Sequence, residues 1–142
     1  TATFHQWIDS FHTGYNLECI SEYAKYSADK SYSQVIDKGF TYYINTFFTT
    51  EGKCKYYSNK LYPIDLHSTA QLIITAYRLN KFNKHREIID KVLTLAIHEM
   101  QDRKGFFYYQ KHRFYTNKIP YIRWTQAWMF FALTTYLKNI ND

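Results

Sequence analysis

Asn16, Gln71 and Gln126 stand 55 positions apart, and around each of them the chain repeats one unusual juxtaposition. Polar side chains crowd the opening of a strongly apolar stretch: FHTGYNL at 11–17, DLHSTAQ at 65–71 and YIRWTQAW at 121–128. At this spacing His12 aligns with His67, Phe11 with Leu66 and Thr13 with Ser68. Between these stretches lie segments of another kind. Over 32–48 the apolar set Tyr32, Val35, Ile36, Phe40, Tyr43, Ile44, Phe47 and Phe48 follows helical spacing. Over 84–101 the set is Ile88, Ile89, Val92, Leu93, Ala96, Ile97 and Met100.

The pattern predicts helices over 13–27, 32–48, 65–80, 84–101 and 121–138. The second and fourth are apolar on one face. The first, third and fifth are apolar on most faces beyond their opening turns, and a helix of that kind must be covered all round. An alternation of inner and outer helices with a repeat of this length describes an all-α fold. The expected architecture is an α/α toroid or an α-hairpin repeat segment of about five helices. The inner helices would then present their polar opening turns to solvent at one mouth of the ring.

The connectors TTEGKCKYYSNKLYP (49–63) and DRKGFFYYQKHRFYTNKIP (102–120) share a plan of glycine, paired aromatics, basic and polar residues, and a closing proline. Aromatics flanking a polar turn predict short β-hairpins, and Pro63 and Pro120 suit the start of a helix, where a missing N–H costs nothing. With 142 residues, residues 1–142 read as a single α/α-hairpin repeat domain. Four Gly and two Pro disfavour a many-turned β-sandwich.

The net charge of +6 matters through its placement. Between 103 and 123 stand Arg103, Lys104, Lys111, Arg113, Lys118 and Arg123 without one acid. On the helices, by contrast, Glu18, Glu22, Asp37, Glu87, Asp90 and Glu99 interrupt any basic face, which argues against a nucleic-acid-binding repeat. The longest apolar run, AWMFFAL, is too short to span a bilayer, so no membrane partner is expected. Cys19 and Cys54 form no CxxC pair or metal-like spacing. Inert thiols favour the cytoplasm, while a single disulfide and a secreted or periplasmic product stay open. His5, His85, His98 and His112 show no ligand spacing, so no metal or other cofactor is expected. No P-loop, GxGxxG or GxSxG is present.

The helix openings FHTGYNL, DLHSTAQ and IPYIRWTQAW, with aromatic-basic hairpins before them, resemble the α/α-toroid carbohydrate-active enzymes. These are the six-hairpin glycosidases, uronyl hydrolases, sugar 2-epimerases and toroid polysaccharide lyases. RWTQAWMFFAL is most similar to the Arg-Trp-x-Gln-Ala-Trp opening of an inner helix in such enzymes. The Asp-rich motif of the more distant terpenoid cyclases is missing. A closed toroid uses about six hairpins, and five helices make fewer than three, so the resemblance implies part of a longer toroid or flanks that pair in a homo-oligomer.

Each candidate residue has two readings. His12 and His67 are placed to act as acid or base near neutral pH, or to hydrogen-bond the helix start. Asp9 and Asp65 fit the paired carboxylates of a hydrolase, about 5 to 10 Å apart, or helix caps. Asp65 also fits as the partner that fixes a histidine tautomer. Arg123, Tyr121, Trp124 and Gln126, with Lys111, Arg113 and Lys118, suit an acidic sugar by bidentate and stacking contacts, or a solvated basic loop. Gln71 and Asn16 complete the expected polar mouth. Tyr56, Tyr57, Tyr108, Tyr109 and Tyr115 form either a stacking platform or braces for the helix ends. The expected partner is an acidic oligo- or polysaccharide, bound or processed at the mouth. The alternative is a non-catalytic module that binds glycan or packs within a longer protein.

Overall fold

The computed structural model describes residues 7–141; His5 lies outside them. Five helices account for most of the chain: α1 (Ser10–Ser27), α2 (Ser33–Phe47), α3 (Leu66–Arg78), α4 (Arg86–Met100) and α5 (Ala127–Asn141). Short 3-10 turns at Lys30–Tyr32 and Asn83–His85 lead into α2 and α4, and a π-turn at Ile122–Gln126 leads into α5. Three two-residue strands, β1 (Ile64–Asp65), β2 (Gln110–Lys111) and β3 (Thr116–Asn117), form an antiparallel sheet in that order.

The amphipathic segments behave as their spacing requires. α2 buries Phe40, Tyr43 and Phe47, and α4 buries Ile89, Val92, Leu93, Ala96 and Met100, each along one stripe. α3 is of the other kind, with every residue from Leu66 to Ala76 buried. It lies between α1 and α5 and has α4 behind it, while α2 packs against α1. Buried apolar residues from all five helices join in one cluster. At Gly14 α1 and α3 are in close contact: an added Cβ would stand 2.7 Å from Gln71 Cγ and 2.9 Å from Thr75 Oγ1.

Two expectations are corrected here. Full coverage holds for α3 alone. On α5 only Met129, Ala132 and Thr135 are buried, and Phe130 stays 71% exposed with Phe131, Leu137 and Ile140 also open. On α1 the buried set is Ser10, Gly14, Leu17 and Glu18. A helix apolar on most faces needs a neighbour on each side, and among the described residues only α3 has both. The opening turns, in turn, are solvated only in part. Asp9, Asp65, His67 and Gln71 are buried, whereas His12 and Asn16 on α1 and Tyr121, Arg123 and Trp124 before α5 are exposed.

The connectors also differ from each other. Residues 102–120 contain the expected hairpin, β2 against β3 with Gln110 opposite Asn117. Residues 49–63 make isolated bridges, Phe48 to Cys54, Tyr57 to Lys60 and Asp9 to Tyr57. Their end supplies β1, which pairs with β2 of the other connector through Ile64–Lys111 and Asp65–Gln110. Tyr56 and Tyr57 close over the start of α1, with Ser10 N–H donating to the Tyr56 carbonyl at 2.9 Å. The two connectors thus meet over the starts of α1 and α3, and that meeting builds the site. Cys19 and Cys54 are both free. Cys54 is buried beside Thr69, its Sγ 3.2 Å from Thr69 Oγ1, and burial pushes its thiol up to about 11.

Candidate functional site

A cleft of about 410 Å³ opens where the starts of α1 and α3 meet the two connectors. Its aromatic walls are Phe11 and Tyr15 from α1, Tyr56 and Tyr109 from the connectors, and Trp124 from the π-turn. Its ionisable groups are His12, His67 and Asp65. All of them come from segments brought together by the capping turns and by the β1–β2 pairing.

The one-residue difference between the two caps decides what each histidine does. Asp9 caps α1 and His12 is the third residue of that helix, so the His12 ring can reach back to the cap. Asp9 Oδ1 accepts the His12 backbone N–H at 2.9 Å, and Asp9 Oδ2 lies 2.7 Å from His12 Nδ1. Asp9 is therefore a cap and an orienting partner at once. The contact engages Nδ1 and leaves Nε2 on the open side of the exposed ring. The His12 side chain is 66% exposed.

Asp65 caps α3, but His67 is only the second residue of that helix. Asp65 Oδ1 accepts the His67 backbone N–H at 2.8 Å, and no contact joins the carboxylate to the imidazole. Instead Asp65 Oδ2 accepts from Gln110 Nε2 at 2.6 Å, which ties β2 to the helix start. The His67 ring points across α1. It lies between Phe11, at 4.8 Å and 12°, and Trp128, at 4.5 Å and 28°. Its Nε2 is 2.8 Å from Tyr15 Oη.

Burial sets the electrostatics of this half of the site. It pushes the Asp65 carboxyl up to about 6, against the pull of the Gln110 and His67 hydrogen bonds. It also holds the His67 imidazole down to about 4, with His12 adding to the effect and Asp9 opposing it. Burial and Glu18 raise the Tyr15 phenol, while Arg78 opposes them. Tyr15 thus stays protonated and His67 neutral near pH 7. The phenol donates, Nε2 accepts, and the imidazole proton resides on Nδ1. His67 and Tyr15 are bonded to each other within the wall, whereas His12 is held by Asp9 at the opening.

The remaining expected site residues are dispersed. Gln71 sits in the α1–α3 interface, its Nε2 donating to Glu18 at 2.6 Å and to Thr75 Oγ1 at 2.9 Å. Asn16 is exposed on α1 and does not line the cleft. Gln126 clamps the second connector: Oε1 accepts from Phe107 N–H at 2.9 Å and Nε2 donates to its carbonyl at 2.7 Å. The residues that define the 55-residue spacing therefore have three different environments. Tyr121 braces the cleft residue Tyr109 edge-on, at 5.0 Å. Arg113, Lys118 and Arg123 are exposed and lie outside the lining. Lys111 is paired with Glu99 at 2.6 Å.

Phe11 and Tyr15 belong to the site without having been anticipated. Their signal was local, since Phe11, His12 and Tyr15 fall on one face of α1 at i, i+1 and i+4. Among the described residues no three His, Cys, Asp or Glu side chains are grouped so as to hold a metal ion. No described helix is long and apolar enough to cross a membrane. Comparison of the chain with protein-family models, curated proteins and solved structures finds no match.

Proposed function

We propose that the cleft binds a saccharide and that the Asp9–His12 pair moves a proton at it, within an α/α-hairpin unit of toroid type. The observation that carries this reading is an aromatic-walled cleft with one oriented histidine at its opening. Flat apolar walls with a few polar groups suit the alternating C–H and O–H faces of a sugar ring. A histidine held by a carboxylate is a general base in the form and orientation that proton transfer needs. The exposed cations at Arg113, Lys118 and Arg123 support an acidic saccharide as the partner.

The test is turnover of uronate-containing oligosaccharides. It is read both by new reducing ends (hydrolysis) and by absorbance of an unsaturated uronate (elimination). His12→Ala is expected to lower kcat about 10²- to 10⁴-fold. Asp9→Asn, which still caps the helix, should lower it while leaving substrate affinity close to native. Native-like turnover in His12→Ala would remove the pair from the reaction.

The open flank of α5 favours a second reading, a module that packs against further α-hairpins or a second copy. In that case the cleft still binds glycan but need not turn it over.

A further inference from the structure

Resting on the saccharide reading, we infer that the cleft takes an uncharged sugar ring and that the acid group of an acidic saccharide is held outside it, by Arg123 and the hairpin cations. The chain would then recognise a neutral unit joined to an acidic one.

The lining carries the argument. Among the described residues no Lys or Arg borders the cleft. His67 is buried between two rings with Nε2 engaged by Tyr15, so it offers no cation to a ligand. Both Asp9 oxygens are turned to His12. The acidic group left in the wall is the buried Asp65 carboxyl, whose oxygens accept from a backbone N–H and an amide and meet no cation. A carboxylate entering this space would lose its water and face a like charge across a poorly screened gap. A neutral ring meets no such cost. It gains the faces of Tyr56, Tyr109 and Trp124, and its hydroxyls can bond to His12 Nε2.

The cations are placed for the other half of the ligand. The segment from Tyr109 to Trp124 begins and ends at the cleft wall, and Arg113, Lys118 and Arg123 lie within it. Arg113 rests over Phe114 at 5.3 Å and Lys118 over Tyr108 at 5.1 Å. Arg123 adjoins Trp124, which is 56% exposed. With Lys111 already paired to Glu99, these three are the cations within that segment that a rim carboxylate would find.

The test uses the whole chain and three probes: a neutral hexose disaccharide, glucuronate alone, and a disaccharide of glucuronate linked to a neutral hexose. Binding is followed by the NMR signals of His12 and of the Trp124 indole. The mixed disaccharide should bind about tenfold tighter than either other probe, and this advantage should vanish in Arg123→Ala with Lys118→Ala and at high salt. Glucuronate binding alone as tightly as the mixed disaccharide, or an advantage that survives the double substitution, would overturn the inference. If none of the three moves either signal, the saccharide reading itself falls. Both substituted positions are exposed, and the spectrum reports whether the fold is kept.

Discussion

Glu18→Ala is expected to lower the unfolding free energy by about 3 kcal/mol in urea denaturation, a large effect for a single polar side chain. Glu18 is buried in the α1–α3 interface. Its Oε1 accepts from Gln71 Nε2 and Thr75 Oγ1, each at 2.6 Å, and its Oε2 accepts from Arg78 at 2.5 Å. Removing the carboxylate leaves buried donors without their acceptor, at about 1–3 kcal/mol for such a group. Arg78 is half-exposed and recovers water, so its share is small. Glu18→Gln keeps one acceptor and should cost about 1 kcal/mol. A Glu18→Ala chain within about 0.5 kcal/mol of native would mean that the interface relaxes around the gap. Gly14 argues against such slack, since no Cβ fits between α1 and Gln71.

Asp65→Asn and His67→Phe should tilt the pH dependence of stability in opposite directions. His67 titrates at about 4 in the fold against an ordinary 6.5. The unfolded chain therefore binds more protons in that window, and this contribution strengthens as pH rises from 4 to 6.5. Asp65 titrates at about 6 against an ordinary 3.8. Here the folded chain holds the extra proton, so the contribution is present below 3.8 and is lost as pH rises to 6. Each amounts to roughly 3 kcal/mol at 1.36 kcal/mol per pKa unit, and in the native chain they nearly cancel between pH 4 and 6. Asp65→Asn, which still caps α3, leaves the histidine's slope, and stability should rise across that range. His67→Phe leaves the aspartate's slope, and stability should fall. Urea midpoints at pH 4.5 and 6 decide the matter, and slopes of the same sign in the two variants would contradict the assignment.

The helices were legible because their signals are local. The stripes of α2 and α4, and the aspartates before α1 and α3, each lie within one or two turns of what they specify. The wall of the cleft was partly legible as well: Trp124 and the connector tyrosines were visible as aromatics beside a helix start. What the sequence withheld is long-range. Glu18 meets Gln71, Thr75 and Arg78 across 53 to 60 residues, with no pattern to announce it. The sequence shows Asp9 three residues before His12 and Asp65 two before His67, but not which ring each carboxylate reaches. In the fold one histidine is held by its aspartate and the other is packed between Phe11 and Trp128. The exposed flank of α5 was unreadable for a different reason: a hydrophobic run records that cover is wanted, and not where it comes from.

The central claim is that the cleft at the starts of α1 and α3 is a saccharide site with His12 at its opening. Its most direct test is a titration of the whole chain with uronate-containing oligosaccharides, watching the His12 ring and the Trp124 indole by NMR. Saturable shifts at these two, with His98 on α4 unmoved, are the predicted result. Shifts confined to a second groove, lined by Ile44 and Asn45 of α2 and by His85 and Ile88 at the start of α4, or none at all across the oligosaccharide panel, would contradict it.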